Sequence, residues 1–110
     1  MKQYVIDEVR PHDYETIKTY FDENFISSTI GGIYWIPLDH DIFTQVQAEH
    51  IDCQPFYFAA SLKPNLIAFE FLVRTTNKIR CSCMGYATEK QRNWLINSVD
   101  AIFEKLKIKI

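Results

Sequence analysis

The sequence predicts an α+β fold in which an antiparallel sheet of four or five strands is packed by about three helices. Three observations lead to this prediction. Apolar and polar residues alternate over most of residues 56–86, as in strands with one buried face. Near both ends of the chain, apolar residues recur at spacings of three and four, as in amphipathic helices. A chain of 110 residues, 47% hydrophobic and with a net charge of −2, is typical of one globular domain, so we expect residues 1–110 to fold as a single unit.

The first predicted elements are a short strand and a helix. Residues 4–6 are aromatic or β-branched and are expected to form a strand. Pro11 suits the first position of a helix, where its missing N–H group is not needed. The spacing of the apolar residues that follow predicts an amphipathic helix over 11–25. Its apolar stripe consists of Tyr14, Ile17, Phe21 and Phe25.

A second strand and a second helix are expected next. Residues 33–36 are β-branched or aromatic, and Pro37 should end the strand because it donates no backbone hydrogen bond. Asp39 or Asp41 is expected to cap a helix over 41–50, since a short acidic side chain accepts hydrogen bonds from the free amides of a first turn.

The central segment is predicted to form a three-strand meander, with strands over 56–62, 67–73 and 79–86. Pro64-Asn65 suits the centre of a tight turn between the first two strands. The first hairpin is expected to pair Leu62 with Ile67, Ala60 with Phe69 and Phe58 with Phe71. The second is expected to pair Val73 with Cys81 and Phe71 with Cys83, which places Arg74 and Arg80 opposite each other.

The C-terminal segment carries the clearest helix signal. Thr88 and Gln91 form a capping box, in which the hydroxyl accepts from an amide of the first turn and the glutamine side chain reaches back to the cap residue. We therefore expect a long helix over 89–106. Its core stripe is predicted to be Leu95, Val99, Ile102 and Leu106, with Trp94 and Phe103 at the margin.

Charge and hydropathy argue against several classes of partner. The chain has no basic cluster to meet phosphates, so we expect no binding to nucleic acid. Its apolar stretches are far shorter than the roughly 20 residues of a membrane span, so we expect no membrane association. The N-terminal segment carries Asp7, Glu8 and Arg10 where a secretory signal would be apolar. We therefore expect a cytoplasmic protein with reduced thiols.

One set of residues has the chemistry of a zinc site, because thiolates and imidazole are the usual ligands of structural zinc. The set consists of His50, Cys53, Cys81 and Cys83. In the predicted meander Cys53 lies two strands away from Cys81, roughly 14 Å between backbones, which is too far for one tetrahedral ion. Cys81 and Cys83 also alternate with Ile79 and are expected to pack in the core. We therefore expect no cofactor, with zinc as the alternative.

The opposite face of the predicted meander is the candidate binding surface. Its middle is too apolar to face water and its rim is too charged for an ordinary core, so an element or a partner should cover it. In one interpretation the second helix packs there, and Glu70 pairs with Arg74 or Arg80. In the other, the face is a groove or a homodimer surface that contacts a polar group of a partner. The candidate binding residues are Tyr57, Glu70, Leu72, Arg74, Arg80, Met84 and Tyr86.

The sequence offers little support for catalysis. It contains no GxSxG, HExxH, P-loop or GxGxxG motif. His12, His40 and His50 fall at positions where the helix predictions place solvent or caps. We therefore predict a non-catalytic module that binds a protein partner, most simply a second copy of itself. The alternatives are a zinc-binding domain with the ligand set above and a small enzyme that uses Glu70, Arg74 and Arg80.

Two stretches of sequence carry resemblances to known proteins. In residues 6–14, Arg10-Pro11 followed by Asp13 resembles the start of the first helix in GNAT acetyltransferases. That family binds acetyl-CoA through a Gly-rich loop, and no such loop follows Val73 or Tyr86, so acetyl transfer is not expected. Residues 32–38, 50–58 and 87–95 resemble a set of short hypothetical bacterial proteins, and this resemblance implies no activity.

Overall fold

Strands from both halves of the chain form one antiparallel sheet, and two long helices pack on one of its faces. A computed structural model describes residues 2–28, 31–75 and 84–109. The strands are β1 (Gln3–Ile6), β2 (Ile26–Ser27), β3 (Ile33–Pro37), β4 (Phe56–Lys63), β5 (Leu66–Glu70), β6 (Leu72–Thr75) and β7 (Gly85–Tyr86). The helices are α1 (Pro11–Asn24), α2 (Gln45–Glu49) and α3 (Glu89–Lys105). The predicted α+β class with an antiparallel sheet is confirmed.

The described part of the sheet contains seven strands, so the prediction of four or five was too low. The strand order is β1-β5-β4-β3-β2, with β6 beside β4 and β7 beside β6. The predicted strand over 67–73 is divided at Phe71 into β5 and β6. In addition, β2 and β7 have two residues each, which is too short to produce alternation in a sequence.

The first hairpin forms in the predicted register as far as Phe69. Leu62 pairs with Ile67, and Ala60 pairs with Phe69, on either side of the turn at Pro64-Asn65. This agreement confirms that the turn and the apolar alternation specify the same hairpin.

The predicted pair of Phe58 with Phe71 is wrong, because β6 joins β4 with a shift of two residues. Tyr57 and Ala60 are three positions apart along β4, whereas their partners, Arg74 and Phe69, are five positions apart. Phe71 lies at the break: its N–H donates to the Lys2 carbonyl at 3.1 Å, and its carbonyl accepts from the Ala87 N–H at 2.7 Å. A shift of two residues keeps each side chain on its original face, so alternation alone does not reveal it.

The predicted register of the second hairpin is also wrong. Val73 pairs with Gly85 rather than with Cys81, and Leu72 pairs with Tyr86. The partner of Val73 therefore lies four residues further along the chain than predicted. Residues 76–83, which include Arg80, Cys81 and Cys83, lie outside the described residues.

Helices α1 and α3 cover the face of the sheet that forms the core. Ile17 and Phe21 of α1 are buried as predicted, and Pro11 occupies the first helical position. In α3, Leu95 and Val99 are buried as predicted, but the margin assignment was wrong: Phe103 lies in the core, whereas Ile102 and Leu106 are half-buried. The sheet contributes Tyr34, Ile36, Phe56, Phe58, Ala60, Leu62, Ile67, Phe69 and Val73 to this core.

The predicted helix over 41–50 is replaced by two shorter elements, because the segment contains two separate caps. The Asp39 carboxylate accepts from the Asp41 N–H at 3.0 Å and starts a 3-10 turn at His40–Ile42. Thr44 then forms a capping box with Gln47 and starts α2. A second 3-10 turn follows at Ile51–Cys53.

The predicted capping box of Thr88 and Gln91 is confirmed, and it is joined to the box of α2. The Gln91 Nε2 group donates to the Gln47 Oε1 atom at 2.8 Å and to the Ile42 carbonyl at 2.9 Å. Gln91 is only 1% exposed and Gln47 only 4% exposed. These buried hydrogen bonds hold α2 against the first turn of α3.

Candidate functional site

The face of the sheet that points away from α1 and α3 is the candidate functional surface, and we call it the rear face. Phe58, Ala60 and Leu62 of β4 belong to the core, so the residues between them lie on the rear face. Strand pairing extends this assignment to the neighbouring strands. The rear-face residues of β3 to β6 include Ile33, Trp35, Tyr57, Ala59, Ser61, Ala68, Glu70, Leu72 and Arg74.

A groove of about 350 Å³ lies on the rear face. Small side chains of adjacent strands form its floor: Ala59 and Ser61 of β4, and Ala68 of β5, which pairs with Ser61. Trp35 and Ile33 of β3 line one side of it. The groove exists because small residues in the middle of the sheet are flanked by larger ones, a common geometry for a binding site.

Gly32 fixes the start of β3 and so sets the position of Ile33 and Trp35, which line one side of the groove. Gly32 has a φ of +85°, and a Cβ atom there would lie 2.9 Å from the Leu62 carbonyl oxygen. Its own carbonyl accepts from the Leu62 N–H at 2.7 Å. Only glycine combines this backbone conformation with so close an approach to β4.

An ion pair lies at the opposite side of the groove from Trp35. The Arg74 Nε group contacts the Glu70 Oε1 atom at 3.0 Å. This is one of the two ion pairs that the sequence allowed for Glu70. In a continuous strand residues four positions apart share a face but lie about 13 Å from each other, so the contact depends on the break at Phe71. Both side chains are partly exposed, so the pair contributes little to stability and remains available to a partner.

The other described residues of the predicted binding set do not line this groove. Tyr57 is almost buried, and its ring lies 6.2 Å from that of Trp35. Leu72 is half-buried and pairs with Tyr86, which is exposed and has the Lys2 ammonium 5.7 Å from its ring centre. Met84 is half-buried and packs against the core. Arg80 lies outside the described residues.

The interpretation in which the second helix covers the rear face is wrong. Gln47 of α2 is bonded to Gln91 of α3, so α2 lies beside the helical layer. In the described part of the chain, the residues that line the groove all come from strands β1 and β3 to β6 or from Ser28, which follows β2. The groove is therefore accessible between the described elements.

The described residues of the proposed zinc set have structural roles. Cys53 is buried in the core, and its carbonyl accepts a hydrogen bond from the Thr75 hydroxyl. His50 ends α2. Among the residues that the structure describes, no three His, Cys, Asp or Glu side chains are grouped so that they could hold a metal ion. Cys81 and Cys83 fall in the segment that is not described.

The histidines do not reach the groove. His40 lies in the first 3-10 turn with its ring 4.9 Å from that of Phe43, and His12 is exposed at the start of α1. Within the described lining of the groove there is no histidine or cysteine, and Glu70 is the one carboxylate. The arrangement can bind a partner by apolar contact and charge.

Two tyrosines are hydrogen-bonded to carboxylates elsewhere in the fold. The Tyr34 hydroxyl donates to Asp22 at 2.5 Å, and the Lys18 ammonium donates to the same carboxylate at 2.8 Å. The Tyr4 hydroxyl donates to Asp100 at 2.8 Å. Burial, and then the hydrogen bond to the carboxylate, raises the pKa of Tyr34 and of Tyr4 from 10.0 to about 12. Neither tyrosine lines the groove, so these shifts concern stability.

These raised pKa values predict a loss of stability at alkaline pH. The folded state favours the neutral phenols, so their stabilising contribution is present below pH 10 and is lost as the pH rises towards about 12. Urea unfolding across this range should show a falling free energy of unfolding. The decline should be shallower in a Tyr4→Phe/Tyr34→Phe double variant. An equally steep decline in that variant would contradict the assignment of the shifts to these two residues.

Sequence reasoning missed the contribution of β3 to this site, and it also missed a cleft beside β1. The cleft lies between β1, the segment that follows it and the C-terminal part of α3. The acidic pair Asp7-Glu8, directly after the first strand, was the available signal.

Comparisons of the chain with known protein families, curated proteins and solved structures gave no match. They neither support nor oppose the resemblance to short bacterial proteins. Among the described residues, no helix has the length and apolar character that a membrane span requires.

Proposed function

We propose that the protein is a non-catalytic cytoplasmic binding module that forms a homodimer through the rear face. The observation that carries the proposal is the groove itself, because an apolar cleft bordered by both charges of an ion pair suits a protein surface. Trp35 and Ile33 supply apolar area beside the small residues in the middle, and Leu72 lies on the same face of the sheet. Aromatic and aliphatic side chains of this kind are frequent at the centres of protein interfaces.

The charges of the rear face favour a second copy as the partner. In a two-fold dimer each surface meets itself, so a face with one carboxylate and one guanidinium can be complementary to its own image. Glu70 of one protomer would then approach Arg74 of the partner subunit. The observed contact uses only the Nε group of Arg74, and a guanidinium has four further N–H donors for a second carboxylate.

Replacing Leu72 with glutamate is expected to convert the dimer into a monomer. The change places a carboxylate in the apolar part of the interface, where it would be desolvated without a partner. Sedimentation velocity over a range of protein concentrations measures the outcome, and circular dichroism checks the fold. Ile51→Glu is the matched control, because Ile51 is 75% exposed and lies outside the rear face, and it should leave the dimer intact.

Exchanging the charges of Glu70 and Arg74 tests the two-fold arrangement by loss of the dimer in a single variant and its recovery in a double variant. Glu70→Arg should weaken the dimer about tenfold or more, because it opposes two cations at the interface. The double variant Glu70→Arg/Arg74→Glu restores both signs and should recover most of the affinity. A wild-type protein that stays monomeric at all concentrations would overturn the proposal. A dimer insensitive to Leu72→Glu and to Glu70→Arg would place its interface on another surface.

A further inference from the structure

Among the described strands β1 lies at one edge of the sheet, and one of its sides is paired with none of them. The Phe71 N–H donates to the Lys2 carbonyl, and Tyr4 and Ile6 pair with residues of β5. Hydrogen-bonded residues alternate along an antiparallel strand, so the N–H and C=O groups of Gln3 and Val5 point away from β5. In the described part of the chain, no hydrogen bond satisfies these four groups. Such a row of outward groups is the surface to which an extended segment adds as a new strand.

The cleft beside β1 offers space for the side chains of such a segment. It measures about 760 Å³ and is lined by Tyr4, Val5 and Ile6 along the strand, and by Phe103 and Ile108 from the C-terminal part of the chain. Val5 is 43% exposed, although it is apolar and central in the strand. The described part of β1 has no proline, lysine or bulge of the kind that protects a free edge from pairing.

The charges around the cleft select the type of segment. Four carboxylates line it, those of Asp7, Glu8, Asp13 and Asp100, against the two cations Arg10 and Lys109. Arg10 already pairs with Asp13, with its Nε group 3.2 Å from the carboxylate. Three carboxylates therefore remain against one ammonium. A phosphate-rich partner would be repelled, whereas lysine or arginine side chains would be attracted.

From these features we propose that an extended segment with alternating basic residues binds along β1, adds a strand to the sheet and places its basic side chains against Asp7, Glu8 and Asp100. The backbone groups of Gln3 and Val5 would supply the hydrogen bonds of the ladder, and the carboxylates would supply the selectivity. This site lies at the edge of the sheet, so it does not depend on the proposed homodimer through the rear face.

The test uses a short fluorescent peptide with alternating lysine and valine, whose binding is followed by anisotropy. One control peptide carries glutamate in place of lysine. Another keeps the lysines but is N-methylated at the amides that would face β1. We expect the basic peptide to bind, with an affinity that falls as salt is added, and we expect neither control to bind measurably.

Two protein variants locate the binding site. Val5→Pro removes an N–H group that is not bonded to β5, so the edge strand should tolerate it while the ladder to the peptide is broken. It should abolish peptide binding with little change in the circular dichroism spectrum. Asp7→Asn/Glu8→Gln leaves the backbone unchanged and should weaken binding about 2- to 30-fold. Leu72→Glu on the rear face is the matched control and should leave peptide binding unchanged.

Several outcomes would overturn the proposal. Equal binding of the N-methylated peptide would show attraction to charge without strand addition. Binding that persists in both Val5→Pro and the Asp7/Glu8 variant would place the peptide elsewhere. If Val5→Pro changed the oligomeric state of the protein alone, a second copy rather than a basic segment would occupy the edge.

Discussion

Replacing Phe21 with alanine is expected to lower the free energy of unfolding by about 3–5 kcal/mol. Phe21 is buried where α1 meets the sheet, and its ring is the centre of an aromatic cluster. The rings of Phe25 and Tyr34 lie 5.1 and 5.3 Å from it in edge-to-face arrangements, and that of Phe69 lies 6.5 Å away. Truncation leaves a cavity between a helix and two strands that cannot readily collapse, and it removes the ring contacts as well.

Urea unfolding followed by circular dichroism measures this change, with Tyr86→Ala as the matched control. Both substitutions remove an aromatic side chain, but Tyr86 is about half exposed and lies at the end of the sheet. Its loss should cost less than about 1 kcal/mol. A cost below about 2 kcal/mol for Phe21→Ala would mean that α1 can move to fill the space and that the cluster does not hold it rigidly.

The parts of the fold that the sequence predicted correctly depend on local signals. The Pro64-Asn65 turn and the alternation on both sides of it set the register of the first hairpin, and Thr88 with Gln91 marks the start of α3. The break at Phe71 could not be predicted in this way. It depends on Lys2 and Ala87, next to β1 and β7, which bind the backbone of Phe71 from distant parts of the chain. The shift of two residues also leaves the apolar pattern unchanged.

The candidate site was predictable to a similar extent. Alternation within the hairpin placed Tyr57, Glu70 and Arg74 on one face, and the structure joins the last two in an ion pair. The wall formed by Ile33 and Trp35 was not predictable, because it requires β3 to lie beside β4, and periodicity gives the faces of a strand but not its neighbours. For the same reason the acidic pair Asp7-Glu8 could not be recognised as part of a cleft, since nothing in the sequence shows that the end of α3 lies beside it.

The network that joins the two capping boxes makes a second prediction with a large expected effect. Gln91→Glu keeps the acceptor that the cap needs and adds a negative charge to the first turn of α3, which usually stabilises a helix. The same change removes the donor to Gln47 Oε1 and to the Ile42 carbonyl. The Gln47 Oε1 atom and the Ile42 carbonyl oxygen would then face a buried carboxylate, which has no hydrogen to donate to either of them. We expect the free energy of unfolding at neutral pH to fall by about 3–5 kcal/mol.

Gln47→Glu is the matched control, because the same chemical change has a different consequence there. The Gln47 Oε1 atom accepts from the Thr44 N–H at 2.9 Å and from Gln91 Nε2, and a carboxylate can accept both bonds. Urea unfolding should therefore show a much smaller loss for Gln47→Glu than for Gln91→Glu. The loss in Gln91→Glu should also shrink as the pH falls, since burial raises the pKa of the new carboxyl and its protonated form can donate one of the missing bonds. Suppose instead that the free energy of unfolding falls equally in the two variants and that the fall does not depend on pH. The packing of α2 against α3 would then be controlled by charge at the helix ends and not by the direction of the buried hydrogen bonds.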